Sequence, residues 1–584
     1  MTTVAEYEAM AAKLDAAAHP EIDKDLTEEK EKRSQTNELV QFARDKFALL
    51  HDRNGDVFAQ DSKSGEVRRL GGRQFKDRLI AGFYEKTHQA VRDQSFREAI
   101  GTLQAFGRYN GKPRDVYVRV AKHNDCYYLD LCEPGNSKAI ELGAGYWKVT
   151  DAPVLFVRGE AMQKLPVPIK GGSIAPLWDI CNIPTDLRLL VITWLIEALR
   201  PDTPYPGLEL IGEQGSGKST AAEALRRVID PSSCNLRGAP KTVEDVFVAA
   251  GQNHVVAYEN ISHFAGPMQD ALAILSTGGG FAKRQLYTDG EEHIINVRRP
   301  WLINGIAIAV TQQDLVDRVI SVDCAVIAER QSSSKQWKAF DAALPGILGG
   351  VLDVAAKALA VLPGIRLAPA DRPRLMEFVL LGQAVAQSAG YPENKFLHRF
   401  NELRAETVAR TLESSPVASA ILEFIETTPT GIEAIVKDIM TRLEHHKPLG
   451  AEFWPRSPKG LADALRRAAP ALRQMGIDCK TVGKSKHGMV WTIKKQLPRQ
   501  CAPSAPSAPP TEPELDQSVH MVHMVHIEST TTIDPEPESG DLGDIGDLQS
   551  ATTFDPEPES VHMVHMVHIE STTTIDTDKP GEVF

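Results

Sequence analysis

The residues best suited to chemistry lie in Leu208–Thr220, which reads Leu-Glu-Leu-Ile-Gly-Glu-Gln-Gly-Ser-Gly-Lys-Ser-Thr. Gly212, Gly217, Lys218 and Ser219 fit the pattern G-x-x-x-x-G-K-[ST] of a phosphate-binding loop. Glycines let successive backbone N–H groups curl around a polyphosphate. The expected ATP contacts are Gly212, Glu213, Gln214, Gly215, Ser216, Gly217, Lys218, Ser219 and Thr220. Lys218 would reach the β- and γ-phosphates, Ser219 would supply an oxygen to Mg²⁺, and the start of a helix would add a positive field. Apolar Leu208–Ile211 reads as the strand before the loop, and Lys218–Val228 as the helix after it.

Such a loop needs an acid at the end of a neighbouring strand to hold Mg²⁺. Val255–Tyr258 reads as that strand, and Glu259 follows it, 41 residues after Lys218. An ordinary strand ending in a solvated Glu would look the same. Trp301–Ile303 is a third apolar strand closed by Asn304, whose amide could orient water or sense a γ-phosphate, although many strands end in Asn-Gly turns. Between these strands lies Gly278–Asn296, with Lys283-Arg284, Tyr287 and an Asp289-Gly290 turn, which predicts a projecting basic hairpin. A plain surface hairpin is an equal reading.

A second basic constellation lies near the C-terminal end. Ser457 can cap a helix with Pro458 at its first position, and Leu461, Leu465, Ala468 and Leu472 form an apolar stripe. Lys459, Arg466, Arg467 and Arg473 sit off the stripe. Pro470 is expected to restart the helix, giving helix–turn–helix. Cys479–Lys495 reads as a hairpin with Lys484 and Lys486 near its tip. Two helices and a basic hairpin resemble a winged-helix DNA-binding domain, with a protein-contact surface as the alternative.

The elements that must position these residues divide the chain of 584. Residues 1–45 read as a charged helical arm and 46–175 as an α+β domain with hairpins at Asn54-Gly55 and Asn124-Asp125. Residues 176–335 alternate helix and apolar strand, as a parallel α/β sheet requires. Residues 336–415 are helical, 416–497 hold the basic unit, and 498–584 read as an acidic, low-complexity, disordered tail. The tail repeats SVHMVHMVHIESTTTID at 518–534 and 560–576; its histidines could bind a metal, but low complexity is the simpler account.

The whole chain carries −13 and the tail −15, so the remaining residues carry a net +2, which leaves nucleic acid open as a partner. Seven cysteines without a C-x-x-C pair argue against a zinc module and for a reducing cytoplasm. The most apolar run, Leu187–Leu199, is too short to span a bilayer and contains Arg188 and Glu197, so no membrane partner is expected.

In order, the loop, the acid-ended strand, the basic hairpin and the Asn-ended strand resemble the superfamily 3 helicases, a branch of the AAA+ ATPases. The wording GEQGSGKST, AYENIS, TGGGFAKRQLYTD and RPWLINGI resembles primase-helicase or replication ATPases of phages, plasmids and integrated elements. This resemblance implies a P-loop AAA+ core, with Glu259 as the Mg²⁺-associated acid and Asn304 as sensor 1. Lys283 and Arg284 would follow single-stranded DNA through a ring, a homo-oligomer such as a hexamer. Arg318 would be an arginine finger toward the next subunit, with a salt bridge to Asp314 as the competing role. The implied activity is an ATP-hydrolysing DNA helicase or translocase, with duplex DNA at the winged helix. One departure stands out: the second acid expected at the strand end is replaced by Asn260, and an amide cannot accept a proton. That favours the alternative, an ATP-gated DNA-binding or origin-binding factor with little hydrolysis. A P-loop enzyme of small molecules would need neither basic unit.

Overall fold

The computed structural model describes residues 34–284, 292–329, 331–413, 415–448 and 454–496. Helix α1 (Gln35–Lys46) starts where Ser34 Oγ accepts the Asn37 amide, a cap for an otherwise orphan donor. It leads into β1 (Phe47–His51), paired antiparallel with β2 (Val57–Asp61). Gly55, at φ +80°, supplies the left-handed residue of their turn. Then come β3 (Val67–Arg69), α2 (Arg73–Thr87), α3 (Asp93–Asn110) and β4 (Lys112–Pro113), completing a sheet of order β3-β2-β1-β4. Leu39, Phe42, Phe47, Phe75, Leu79, Phe83 and Leu103 give this part its own core. From Gln35 onward, the arm expected over residues 1–45 is therefore packed structure; residues 1–33 lie outside the described residues.

The next strands pack elsewhere. β5 (Val116–Tyr117) pairs with β10 (Leu155–Phe156). Between them, β6 (Val120–His123), β7 (Cys126–Asp130), β8 (Lys138–Gly143) and β9 (Tyr146–Asp151) form an antiparallel meander. The meander has no helix of its own to cover its apolar face. Leu129, Ile140, Leu142 and Trp147 instead join one core cluster with Leu208, Leu210 and the helices after residue 333. Buried residues of the stretch expected as one α+β domain over 46–175 thus fall into several clusters, two of them small: Phe58 and Val67 with Val118 and Val157, and Ala121, Tyr128 and Ala139 with Phe156.

Helix α4 (Arg188–Glu197) is buried all round, which explains its near-continuous apolar sequence. The central sheet follows. Its strands are β11 (Gly207–Ile211), β12 (Val256–Tyr258), β15 (Trp301–Asn304) and β16 (Val319–Asp323), in the order β12-β15-β11-β16, all parallel. Helices α5 (Lys218–Ile229), α6 (Val243–Gln252) and α7 (Gly266–Thr277) cross between them. The antiparallel pair β13 (Gly279–Arg284) and β14 (Glu292–Val297) forms the expected hairpin. Tyr287 and the Asp289-Gly290 turn lie outside the described residues, as do the side chains of Lys283 and Arg284.

After the short α8 (Gln313–Val316), the helical region comprises α9 (Ser333–Val361), α10 (Met376–Ser388) and α11 (Lys395–Glu413). Helix α9 is long and apolar enough to cross a membrane, but most of its apolar stretch is buried in this core. The final unit is α12 (Pro416–Thr427), β17 (Ile432–Ile435), α13 (Val436–Leu443), α14 (Pro458–Gln474), β18 (Ile477–Ser485) and β19 (Gly488–Lys495). Its sheet has the order β17-β19-β18.

One sequence expectation is corrected here. Helix α14 runs unbroken through Pro470, so Pro458–Gln474 is a single rod. A proline inside a helix costs roughly 3 kcal/mol. The stripe Leu461, Leu465, Ala468 and Leu472, fully packed in the core, offsets that cost. The tail and its histidine repeats lie outside the described residues.

Candidate functional site

Strand β11 ends at Ile211, helix α5 begins at Lys218, and the loop between them turns on three glycines with positive φ: Gly212, Gly215 and Gly217. A Cβ on Gly212 would lie 2.4 Å from Cys324 O, and one on Gly217 would lie 2.8 Å from Ile327 Cδ1. Only glycine satisfies both the backbone angle and the space. Asn182 Nδ2 donates to Ser216 O (3.0 Å) and Ala325 O (2.6 Å), and Ile327 N donates to Gly215 O (3.3 Å). The loop is thereby held from both sides. The Cys324 thiol behind it is pushed up to about 12 by burial, against the pull of Lys218, so it stays protonated and inert.

The loop opens into a cavity of about 540 Å³ whose other walls are Asn260–Ser262 and Gly305–Ala307. Lys218 is the one charged side chain among the described residues that line it. Its Nζ donates to Glu213 O (2.7 Å) and Ser216 Oγ (3.0 Å), acceptors within the loop itself. Ser219 and Thr220, at the start of α5, also line the cavity. A single cation and a helix N-terminus give this cavity a positive field, which suits it to an anion.

Asn304 ends β15, which separates β12 from β11; it stands directly before the cavity-lining Gly305 and is not itself among the lining residues. Its Oδ1 accepts from Asn260 N (3.2 Å), its carbonyl accepts from Ile261 N (2.9 Å), and Gly305 N donates to Leu210 O (3.0 Å). Its Nδ2 is buried and has no partner among the described residues. A buried amide with a spare donor is costly, so a ligand atom or ordered water within reach would be well received. Asn260 lines the cavity in a left-handed conformation, φ +56°.

Three expected residues sit differently. Glu259 is half-buried and lies outside the cavity lining; its amide donates to Arg237 O (2.8 Å). Glu213 is exposed on the loop. Arg318 is only 9% exposed: Nη1 donates to Ala273 O (3.1 Å), and Nη2 pairs with Asp314 at 3.4 Å. An arginine finger must project into solvent, and Arg318 does not. Here the competing Asp314 salt bridge is what forms, and burial pushes the guanidinium down against Asp314's opposing pull.

Lys459, Arg466 and Arg467 are exposed on α14, and Lys484 and Lys486 are exposed around the β18–β19 turn. Arg466 pairs with Asp463.

Sequence reasoning missed two supports. Glu209, in the middle of β11, is fully buried and accepts from Ala309 N (2.7 Å), Val310 N (3.2 Å) and Ser321 Oγ (2.5 Å). Burial raises its pKa, while those donors work against the rise. A lone acid inside an apolar strand was its signal. Asp230, just after α5, takes Arg119 Nε on Oδ1 (3.0 Å) and the amides of His254 and Val255 on Oδ2 (3.0 and 2.9 Å). Burial pushes its carboxyl up, but Arg119 and Arg226 outweigh burial and hold it below its ordinary value. Nothing in the sequence announces a pair 111 residues apart.

Fold and site together define an α/β protein whose parallel central sheet carries a glycine-rich loop and a cavity at its strand ends. Residues 174–391 match the family described as actinomycete integrative conjugative element replication protein. Residues 417–507 match the C-terminal domain of the same RepA family. Over both stretches the chain is similar to a replication protein of integrative conjugative elements, which narrows the mobile element that the sequence left open. No curated protein matches. Among solved structures, the C-terminal region of NrS-1 aligns at 11% identity over 78% of this chain and 98% of that one, with a TM-score of 0.36. SCCmec type IV Cch, titled an active helicase, aligns at 12% identity over 77% and 92%, with a TM-score of 0.39.

Proposed function

We propose that the chain is a Mg²⁺-dependent, ATP-hydrolysing DNA helicase or translocase that serves replication of an integrative conjugative element. The observation that carries this reading is the cavity at Gly212–Thr220, with Lys218 inside it and the spare Asn304 amide directly before its lining residue Gly305. ATP phosphates would take the place of Glu213 O and Ser216 Oγ as the partners of Lys218. Ser219 would hold Mg²⁺. Glu259 would complete the metal site by swinging toward the cavity, and Asn304 would contact the γ-phosphate or the attacking water. The β13–β14 hairpin, through Lys283 and Arg284, would track single-stranded DNA inside a superfamily 3-type AAA+ ring such as a hexamer. The α12–β19 unit would act as a winged helix on duplex DNA through Lys459, Arg466, Arg467, Lys484 and Lys486. The setting is cytoplasmic.

A specific observation favours a second reading. Asn260, and among the described residues no carboxylate, lines the cavity where a water-activating acid is expected. On that reading ATP gates DNA binding with little turnover. ATP hydrolysis with and without single-stranded DNA, compared between the wild type and Lys218→Ala, separates the two. Strong DNA-stimulated turnover that vanishes in the variant supports the motor. ATP binding without turnover supports the gated factor.

A further inference from the structure

A groove unrelated to the glycine-rich loop runs between the N-terminal sheet and the central-sheet part of the chain. It consists of a cavity of about 850 Å³ and one of about 400 Å³ that share Gln74, Arg158, Gly159 and Glu160. One wall comes from β3 and the first turns of α2, the opposite wall from Arg237 and Gln252-Asn253, and the floor from residues 158–164. Cations outnumber carboxylates along it by more than two to one, although residues 1–497 as a whole are nearly neutral.

The cations fall into two sets. Arg68, Arg69, Arg78 and Arg158 are paired with Glu66, Asp56, Asp61 and Asp130, so their guanidinium groups are held in place. Arg68 nonetheless keeps Nη1 buried without a partner among the described residues. Lys164 and Arg237 form no ion pair among the described residues, and Arg73 faces only the exposed Asp77, at 3.6 Å. The N-terminus of α2 joins them: Gly72, Arg73 and Gln74 line the groove, and that end has neither a side-chain cap nor an acid in its first turn. Its free N–H groups therefore add to the positive field.

We infer that this groove grips the phosphodiester backbone of single-stranded nucleic acid, a contact separate from the β13–β14 hairpin and from the C-terminal unit. Fixed guanidinium groups fit phosphate oxygens, cations without a close carboxylate are available to the backbone, and a concave path suits a strand better than a rigid duplex. Among the described residues no aromatic lines either cavity, so the contact is with phosphates and carries no sequence preference. Arg237 also brackets the nucleotide-side strand: its amide donates to Ala257 O (3.1 Å), and its carbonyl accepts from Glu259 N (2.8 Å). This inference rests on DNA being a partner, as proposed above.

The test is the salt dependence of binding to a labelled single-stranded oligonucleotide, read by fluorescence anisotropy on the full-length chain. Each phosphate contact on a single strand contributes a slope of about 0.7 in log K against log salt. The triple variant Arg73→Ala/Lys164→Ala/Arg237→Ala is expected to flatten that slope by about 2 and to weaken binding at least about tenfold at low salt. Arg73→Lys/Arg237→Lys, which keeps both charges, is expected to retain the wild-type slope, showing that charge and not a folding defect is read. Wild-type binding with an unchanged slope in the triple variant overturns the groove and leaves the DNA reading standing. Absence of any wild-type binding overturns both.

Discussion

Asn304 concentrates the site's chemistry in one amide. Its oxygen is committed to the Asn260 backbone, while its nitrogen is buried and uncommitted. Asn304→Ala removes the donor without placing a carboxylate charge beside the phosphates. If Nδ2 contacts the γ-phosphate or the attacking water in the transition state, turnover should fall by about 100-fold, the usual loss for one such donor. Nucleotide affinity should stay within a few-fold of wild type, since Lys218 and the loop amides are untouched. Steady-state kinetics beside equilibrium binding of a fluorescent nucleotide separates the two; an equal loss in both would assign Asn304 to ground-state binding. Asn260 is the complementary case. Its left-handed backbone suits asparagine and aspartate alike, so the local fold does not dictate the amide.

The elements explain which features were legible. Strands β11, β12 and β15 were readable because each is a short apolar run closed by a polar or glycine residue, and the Asn54-Gly55 hairpin because its turn demands a left-handed residue. The loop was readable because its glycines answer a steric demand set by Cys324 and Ile327. The course of α14 through Pro470 was not, because a local rule yielded to the packing of a whole apolar stripe. The burial of Arg318 was invisible for a related reason: it depends on Ala273 and on the fold around it.

The joint between α5 and β12 offers a pH test at this scale. His254 Nε2 bonds Ala198 O at 2.6 Å and so carries the proton, and Nδ1 is buried without a partner among the described residues. Burial, reinforced by Arg299, pushes the imidazole down to about 4. The folded state therefore refuses a proton that the unfolded chain takes up below about 6.5. Stability from this group is full above 6.5 and declines as pH falls toward 4. Between pH 7 and pH 5 the loss should be about 2 kcal/mol. Denaturant melts of wild type and His254→Asn at both pH values check it; an equal loss in the two proteins would clear His254 of the effect.

Across the whole molecule, cores and sequence domains do not coincide. Leu129, Ile140, Leu142 and Trp147 of the meander share a core with β11 and the helical region, while Leu39, Phe47, Ala59, Phe75 and Leu103 close one of their own, and Phe58 and Val67 pack with Val118 and Val157. Native-state hydrogen exchange should therefore show Leu129 and Ile140 opening together with Leu208 and Leu210 as one cooperative unit. Phe47 and Ala59 should open separately, at lower free energy. Exchange of the meander along with Phe47 would contradict this division.

Arg119 has a consequence for how such a protein can be inherited. It stands in the meander region with no exposed surface, and its counter-charge, Asp230, follows the helix of the glycine-rich loop. The matched replication-family region begins at residue 174, between the two. A recombination crossover at that border, joining a foreign N-terminal half to this core, would strand a buried charge unless the donor brought a matching arginine. Genetic exchange among mobile elements would therefore pass Arg119 and Asp230 on as one hereditary unit, and their co-occurrence should persist where the flanking sequence has been shuffled.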